Sequence, residues 1–97
     1  MNPPSEEILR GCLKFDRGAQ RVLFEEYSPA MMEICIRYAK NQEEAREILL
    51  HGFRNIFATI RQFAEANVRR KSDQPVIDFF DWIKREIILA AVYFMHH

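Results

Sequence analysis

Three groups of side chains carry whatever chemistry this chain has. Arg69, Arg70 and Lys71 form a basic triplet. Trp82 is followed closely by Lys84 and Arg85. Glu43, Glu47, His51 and Arg54 recur every three or four residues, which makes one charged edge if the stretch is helical. Aromatic and basic side chains beside a loop can stack bases and hold phosphates. Each group also has a plainer reading. A short basic run in a loop is often only solvated, and a helical Trp near Phe79 and Phe80 often packs in a core. His51 is a pH-sensitive contact, a metal ligand or an ordinary surface histidine. The sequence has no Gly-rich phosphate loop, no Ser or Cys beside a His at a recognisable spacing, and no His/Asp/Glu ligand cluster. No catalytic residue, cofactor or metal is expected.

The elements that position these groups follow from periodicity. Over Glu43 to Phe63, the residues Ala45, Ile48, Leu49, Gly52, Phe53, Ile56, Ile60 and Phe63 recur at helical spacing. That edge belongs to a core. The opposite edge carries Glu43, Glu47, His51, Arg54 and Arg61, with Leu50 at its border. An aliphatic side chain gains little from the chain's own core there, so this surface is a candidate for meeting another molecule. Asn41 opens this third helix, with Glu44 placed for a capping box, and the helix is expected to end near Phe63 or Ala64.

Upstream, Ser5 caps a first helix that runs to about Lys14, with Ile8, Leu9, Cys12 and Leu13 inward. Asp16 caps a second helix whose inward set is Ala19, Val22, Leu23 and Tyr27. Ser28 and Pro29 interrupt it and restart it as cap and first helical residue. The continuation is expected to bury Met32, Cys35, Ile36 and Tyr38. Downstream, a basic loop spans about 65–75. The last helix begins near Pro75 or Val76, with Val76, Phe79, Phe80, Ile83, Ile87, Ala90, Ala91 and Phe94 inward. Its outer edge starts polar, at Asp78, Asp81 and Arg85, and turns apolar at Ile88, Leu89 and Val92. Either further chain folds over that end, or the domain self-associates through it.

Composition sets the class. The chain has 97 residues, 48% of them hydrophobic and 29% charged, with three glycines and no Asn-Gly or Asp-Gly turn. This describes one small all-α domain, a compact bundle of about four helices. The net charge is zero, so nucleic-acid attraction rests on local patches and not on the whole chain. Cys12 and Cys35 lie on apolar helix edges and are expected as buried thiols. Met1 to Glu7 is polar and acidic, and the longest apolar run, Ile87 to Met95, is too short to span a bilayer. A cytoplasmic protein without membrane contact is expected.

From Cys12 to Phe63 the chain resembles the second conserved region of bacterial sigma factors, most nearly the extracytoplasmic-function type. Cys12-Leu13, Asp16, Ala19-Gln20, Leu23, Tyr27, Pro29 and Met31 fall on that family's pattern C-L-x-x-D-x-x-A-Q-x-x-L-Y-x-x-Y-x-P-x-M. Glu43-Glu44-Ala45, Glu47, Ile48, Phe53, Ile56 and Phe57 fall on E-E-A-E-D-L-x-Q-x-x-F-x-x-I-F. Phe79, Trp82-Ile83 and Lys84-Arg85 look like F-x-x-W-L-x-R at the start of the promoter-reading helix. The resemblance implies a domain that docks on the coiled-coil helix of the largest subunits of core RNA polymerase through Glu43, Glu47, Leu50, His51 and Arg54. It further implies capture of the melted minus-ten promoter strand through Arg69, Arg70, Lys71, Trp82, Lys84 and Arg85.

The chain departs from the pattern at defined places. Leu50 stands where the family usually has Gln, and His51 where it has an acid. Leu89 replaces its Asn, Tyr93 its Asp, and His96 and His97 its closing Arg/Lys pair. No fourth, promoter-recognising region follows within these residues. A second expectation therefore stands beside the first. The domain keeps the fold and serves as a protein-interaction module without DNA reading, as a homodimer through Ile88, Leu89 and Val92 or as the partner of an anti-sigma regulator.

Overall fold

A computed structural model describes residues 5–69 and 78–95. The described chain is helical: α1 (Glu6–Leu13), α2 (Arg17–Tyr38), α3 (Gln42–Arg69) and α4 (Phe79–Met95). The start of each helix is written locally. Ser5 Oγ accepts from the Ile8 N–H at 3.2 Å, and Asp16 Oδ1 accepts from Gly18 and Ala19 at 2.8 and 3.3 Å. Asn41 Oδ1 accepts from Glu44 at 2.8 Å, while the Glu44 carboxylate reaches back to the Lys40 N–H at 3.3 Å. Asp78 Oδ1 accepts from Phe80 at 2.8 Å. Each cap satisfies amide donors that the first helical turn leaves unpaired.

The turn between α1 and α2 is tight. The Phe15 N–H bonds the Cys12 carbonyl at 3.0 Å and the Asp16 N–H bonds the Gly11 carbonyl at 2.9 Å, the paired bonds of a Schellman motif. That motif needs a left-handed residue, and the position is held by Phe15, with φ of 61°. A side chain in this conformation costs about 1–2 kcal/mol, and Phe15 recovers little by packing because it is 67% exposed. Phe15→Gly removes the strain and gives back part of the gain through a freer unfolded chain. A net stabilisation of about 0.5–1 kcal/mol is expected, read as a higher melting temperature.

Helix α3 is the centre of the bundle and packs against α1, α2 and α4. Its inner edge is buried at Ala45, Ile48, Leu49, Gly52, Phe53, Ile56, Ile60 and Phe63, the set that the periodicity predicts. Gly52 lies against α4. A β-carbon there would stand 2.5 Å from Ile87 Cδ1, so a larger residue would require the buried Ile87 side chain to shift. Cys12 and Cys35 are buried free thiols. Burial pushes the Cys35 thiol up to about 11, leaving it protonated and unreactive at neutral pH.

Several boundaries and faces differ from expectation. Helix α2 is continuous through Ser28 and Pro29. Pro29 has no N–H for the Glu25 carbonyl, but the buried row Leu23, Tyr27, Met31 and Cys35 runs across the site, and packing holds the helix together. An unbroken helix keeps this four-residue stride. Met31 is therefore fully buried, Met32 only partly, and Val22, Ile36 and Tyr38 are 45%, 56% and 38% exposed. Helix α3 runs on to Arg69, past Phe63, because no Gly or Pro interrupts it before Pro75. Helix α4 starts at Phe79 behind the Asp78 cap; Pro75 and Val76 lie outside the described residues.

Candidate interaction surfaces

The outer edge of α3 is solvent-facing. Glu43, Glu47 and Arg54 are exposed, and Leu50 is 50% exposed between them. Leu50 stands between two hollows. One, of about 400 Å3, is walled by Phe24, Pro29, Met32 and Leu49, with Arg46 at its rim. The other, of about 280 Å3, is lined by Glu47, Leu50, His51, Arg54 and Phe94. Four of the five residues predicted for this edge, Glu47, Leu50, His51 and Arg54, thus share one depression with Phe94 of α4, and Glu43 is not among its lining residues.

His51 differs from its neighbours. It is half-buried, its ring stacked on Tyr93 at 5.2 Å and 6° and meeting Phe94 edge-on at 5.6 Å. Such ring pairs contribute about 0.5–1.5 kcal/mol beyond area burial. His51 therefore has a structural task, joining the outer edge of α3 to the end of α4. Sequence reasoning placed Phe94 inward and treated Tyr93 only as a departure from a family pattern. His51 meets Tyr93 and Phe94 through the crossing of α3 and α4, a contact that periodicity within either helix does not carry.

The predicted DNA-binding set is divided. Arg69 closes α3; its side chain, and Arg70 and Lys71 altogether, lie outside the described residues. Trp82 is half-buried, with its ring 5.1 Å from Phe63 and 5.9 Å from Phe79, so one side of it packs on the core. Arg85 is exposed three residues on and shares the Trp82 flank, whereas Lys84 is exposed on the other flank. The predicted self-association set is also uneven. Leu89 and Val92 are 53% and 39% exposed, while Ile88 is half-buried. Tyr93, four residues after Leu89 on the same flank, is 49% exposed and extends the apolar surface towards His51.

Among the described residues no charged, amide, Ser, Thr or His side chain is buried, and no three His, Cys, Asp or Glu side chains are close enough to hold a metal ion. No helix among them is long and apolar enough to cross a membrane. The chain matches no protein-family model, no curated protein and no solved structure.

Proposed function

We propose that this chain is a sigma-factor-like domain of the extracytoplasmic-function type, which binds core RNA polymerase and the melted minus-ten strand of a promoter in the cytoplasm. The observation that carries the reading is the division of α3 into two edges. All eight apolar positions of the inner edge that align with or flank the family pattern are buried, and Glu43, Glu47, Leu50 and Arg54 remain available on the outer edge. A helix with an acidic half-edge pairs with a basic partner helix and steers its approach. The DNA part rests on Trp82 with Arg85 beside it, Lys84 nearby, and the basic triplet Arg69, Arg70 and Lys71 that precedes α4 in sequence. Fluorescence polarisation with single-stranded minus-ten DNA across a salt series tests it. The slope of log K against log salt is expected to approach about −3.5 if all five basic side chains meet phosphates. Affinity no greater than for random single strands would remove DNA capture from the function.

A second reading is favoured by one observation: Leu89 and Tyr93, where the family carries Asn and Asp, are exposed and apolar. In that reading the domain is an interaction module, a homodimer or the target of an anti-sigma regulator, and no longer reads DNA. The same polarisation assay separates the two.

A further inference from the structure

The outer edge of α3 is electrostatically polar along its length. Glu43 and Glu47 occupy its N-terminal half, with Arg46 exposed on the flank beside Leu50; Arg54 and Arg61 occupy its C-terminal half, and Leu50 and His51 lie at the middle. Glu47 and Arg54 are equidistant from the point between Leu50 and His51. An antiparallel crossing of two copies about that point therefore sets Glu47 of each against Arg54 of the other, twice, and Leu50 of each against the His51 region of the other. An edge of this kind is complementary to itself, which is the requirement of a twofold, isologous interface. The apolar part of the surface is continuous with it. Phe94 lines the same hollow as Leu50, Tyr93 stacks on His51, and Leu89 shares the Tyr93 flank.

We propose that a second copy of this chain closes the outer edge of α3, in an antiparallel α3–α3 dimer centred on Leu50 and His51 and extended by Leu89 and Tyr93. The dimer covers Glu47, Leu50 and Arg54. On the polymerase-docking reading above, it masks the docking edge, so self-association and polymerase binding exclude one another. The interface differs from one confined to the outer side of α4, because α3 supplies its charges and its centre.

Sedimentation equilibrium of the whole chain, without polymerase, tests the interface. The protein is expected to dimerise, Leu50→Asp and Leu89→Asp each to yield monomer, and Glu47→Arg and Arg54→Glu each to weaken the dimer about tenfold or more, since like charges then face each other twice. All four positions are exposed, and circular dichroism and melting verify that the variants fold. An equimolar mixture of Glu47→Arg and Arg54→Glu chains is expected to recover a heterodimer, because the reversed charges again meet opposites. A wild-type monomer at every concentration overturns the proposal. So does a dimer indifferent to both charge reversals. Adding core polymerase to the labelled dimer is expected to release one copy; a complex that retains both overturns the masking. Polymerase that fails to bind at all contradicts the docking reading instead, and is separable because the dimer is measured alone.

Discussion

Phe53→Ala is expected to cost about 3–5 kcal/mol of folding stability, whereas Leu50→Ala, on the other edge of the same helix, is expected to cost under about 1 kcal/mol. Phe53 is 2% exposed and meets Phe24 edge-on at 4.9 Å and Phe57 at 5.9 Å. Truncation removes both ring contacts and leaves a cavity between α2 and α3 that the bundle cannot fill by small shifts. A chain of this size has total stability of about 5–15 kcal/mol, so the variant lies near the limit of folding. Leu50 is half exposed and leaves no enclosed space behind it. Urea denaturation followed by circular dichroism measures both. Equal losses at the two positions would mean that the outer edge is also core, and the division of α3 into a structural and a recognising edge would fail.

The second large effect concerns binding. Leu50→Gln with His51→Glu restores the hydrogen-bonding groups that the resemblance places at these positions. Each is expected to strengthen binding to core RNA polymerase by about 1–3 kcal/mol if the partner's groups are otherwise left unpaired, so the pair should tighten the complex tenfold or more. The same change should lower stability. His51→Glu gives up the stack on Tyr93 at 5.2 Å and the edge contact with Phe94 at 5.6 Å, together about 1–3 kcal/mol at the usual strength of ring pairs. Tighter binding with lower melting temperature is thus the expected joint outcome, measured by a polymerase titration and a thermal melt. Unchanged affinity would show that these two positions do not meet the polymerase.

The sequence made the inner edge of α3 legible because eight positions from Ala45 to Phe63 repeat over about five turns without a break, and burial follows such a pattern directly. The caps Ser5, Asp16 and Asn41 were equally legible, since each is a short polar residue whose side chain reaches amides two or three positions ahead. The α2 face was not. A proline read as a breaker displaced the expected face from Met31 to Met32 and Ile36, and only the tertiary row Leu23, Tyr27, Met31, Cys35 shows why the helix continues. The Asp78 cap was hidden by the stronger local signal of Pro75. The left-handed Phe15 has no sequence signal, because the motif that requires it normally announces itself with glycine. At the candidate site, Leu50 was conspicuous as an aliphatic residue on a charged edge. The coupling of His51 to Tyr93 and Phe94 depends on how α4 crosses α3 at Gly52, a tertiary fact that no local pattern carries.

Docking of the outer edge of α3 on core RNA polymerase is the proposal on which the rest depends. Its most direct test is a titration of purified core polymerase with the labelled wild-type chain, repeated at rising salt. Saturable one-to-one binding is expected, weakening as salt screens Glu43 and Glu47 from a basic partner helix. Absence of saturable binding at low salt would contradict it.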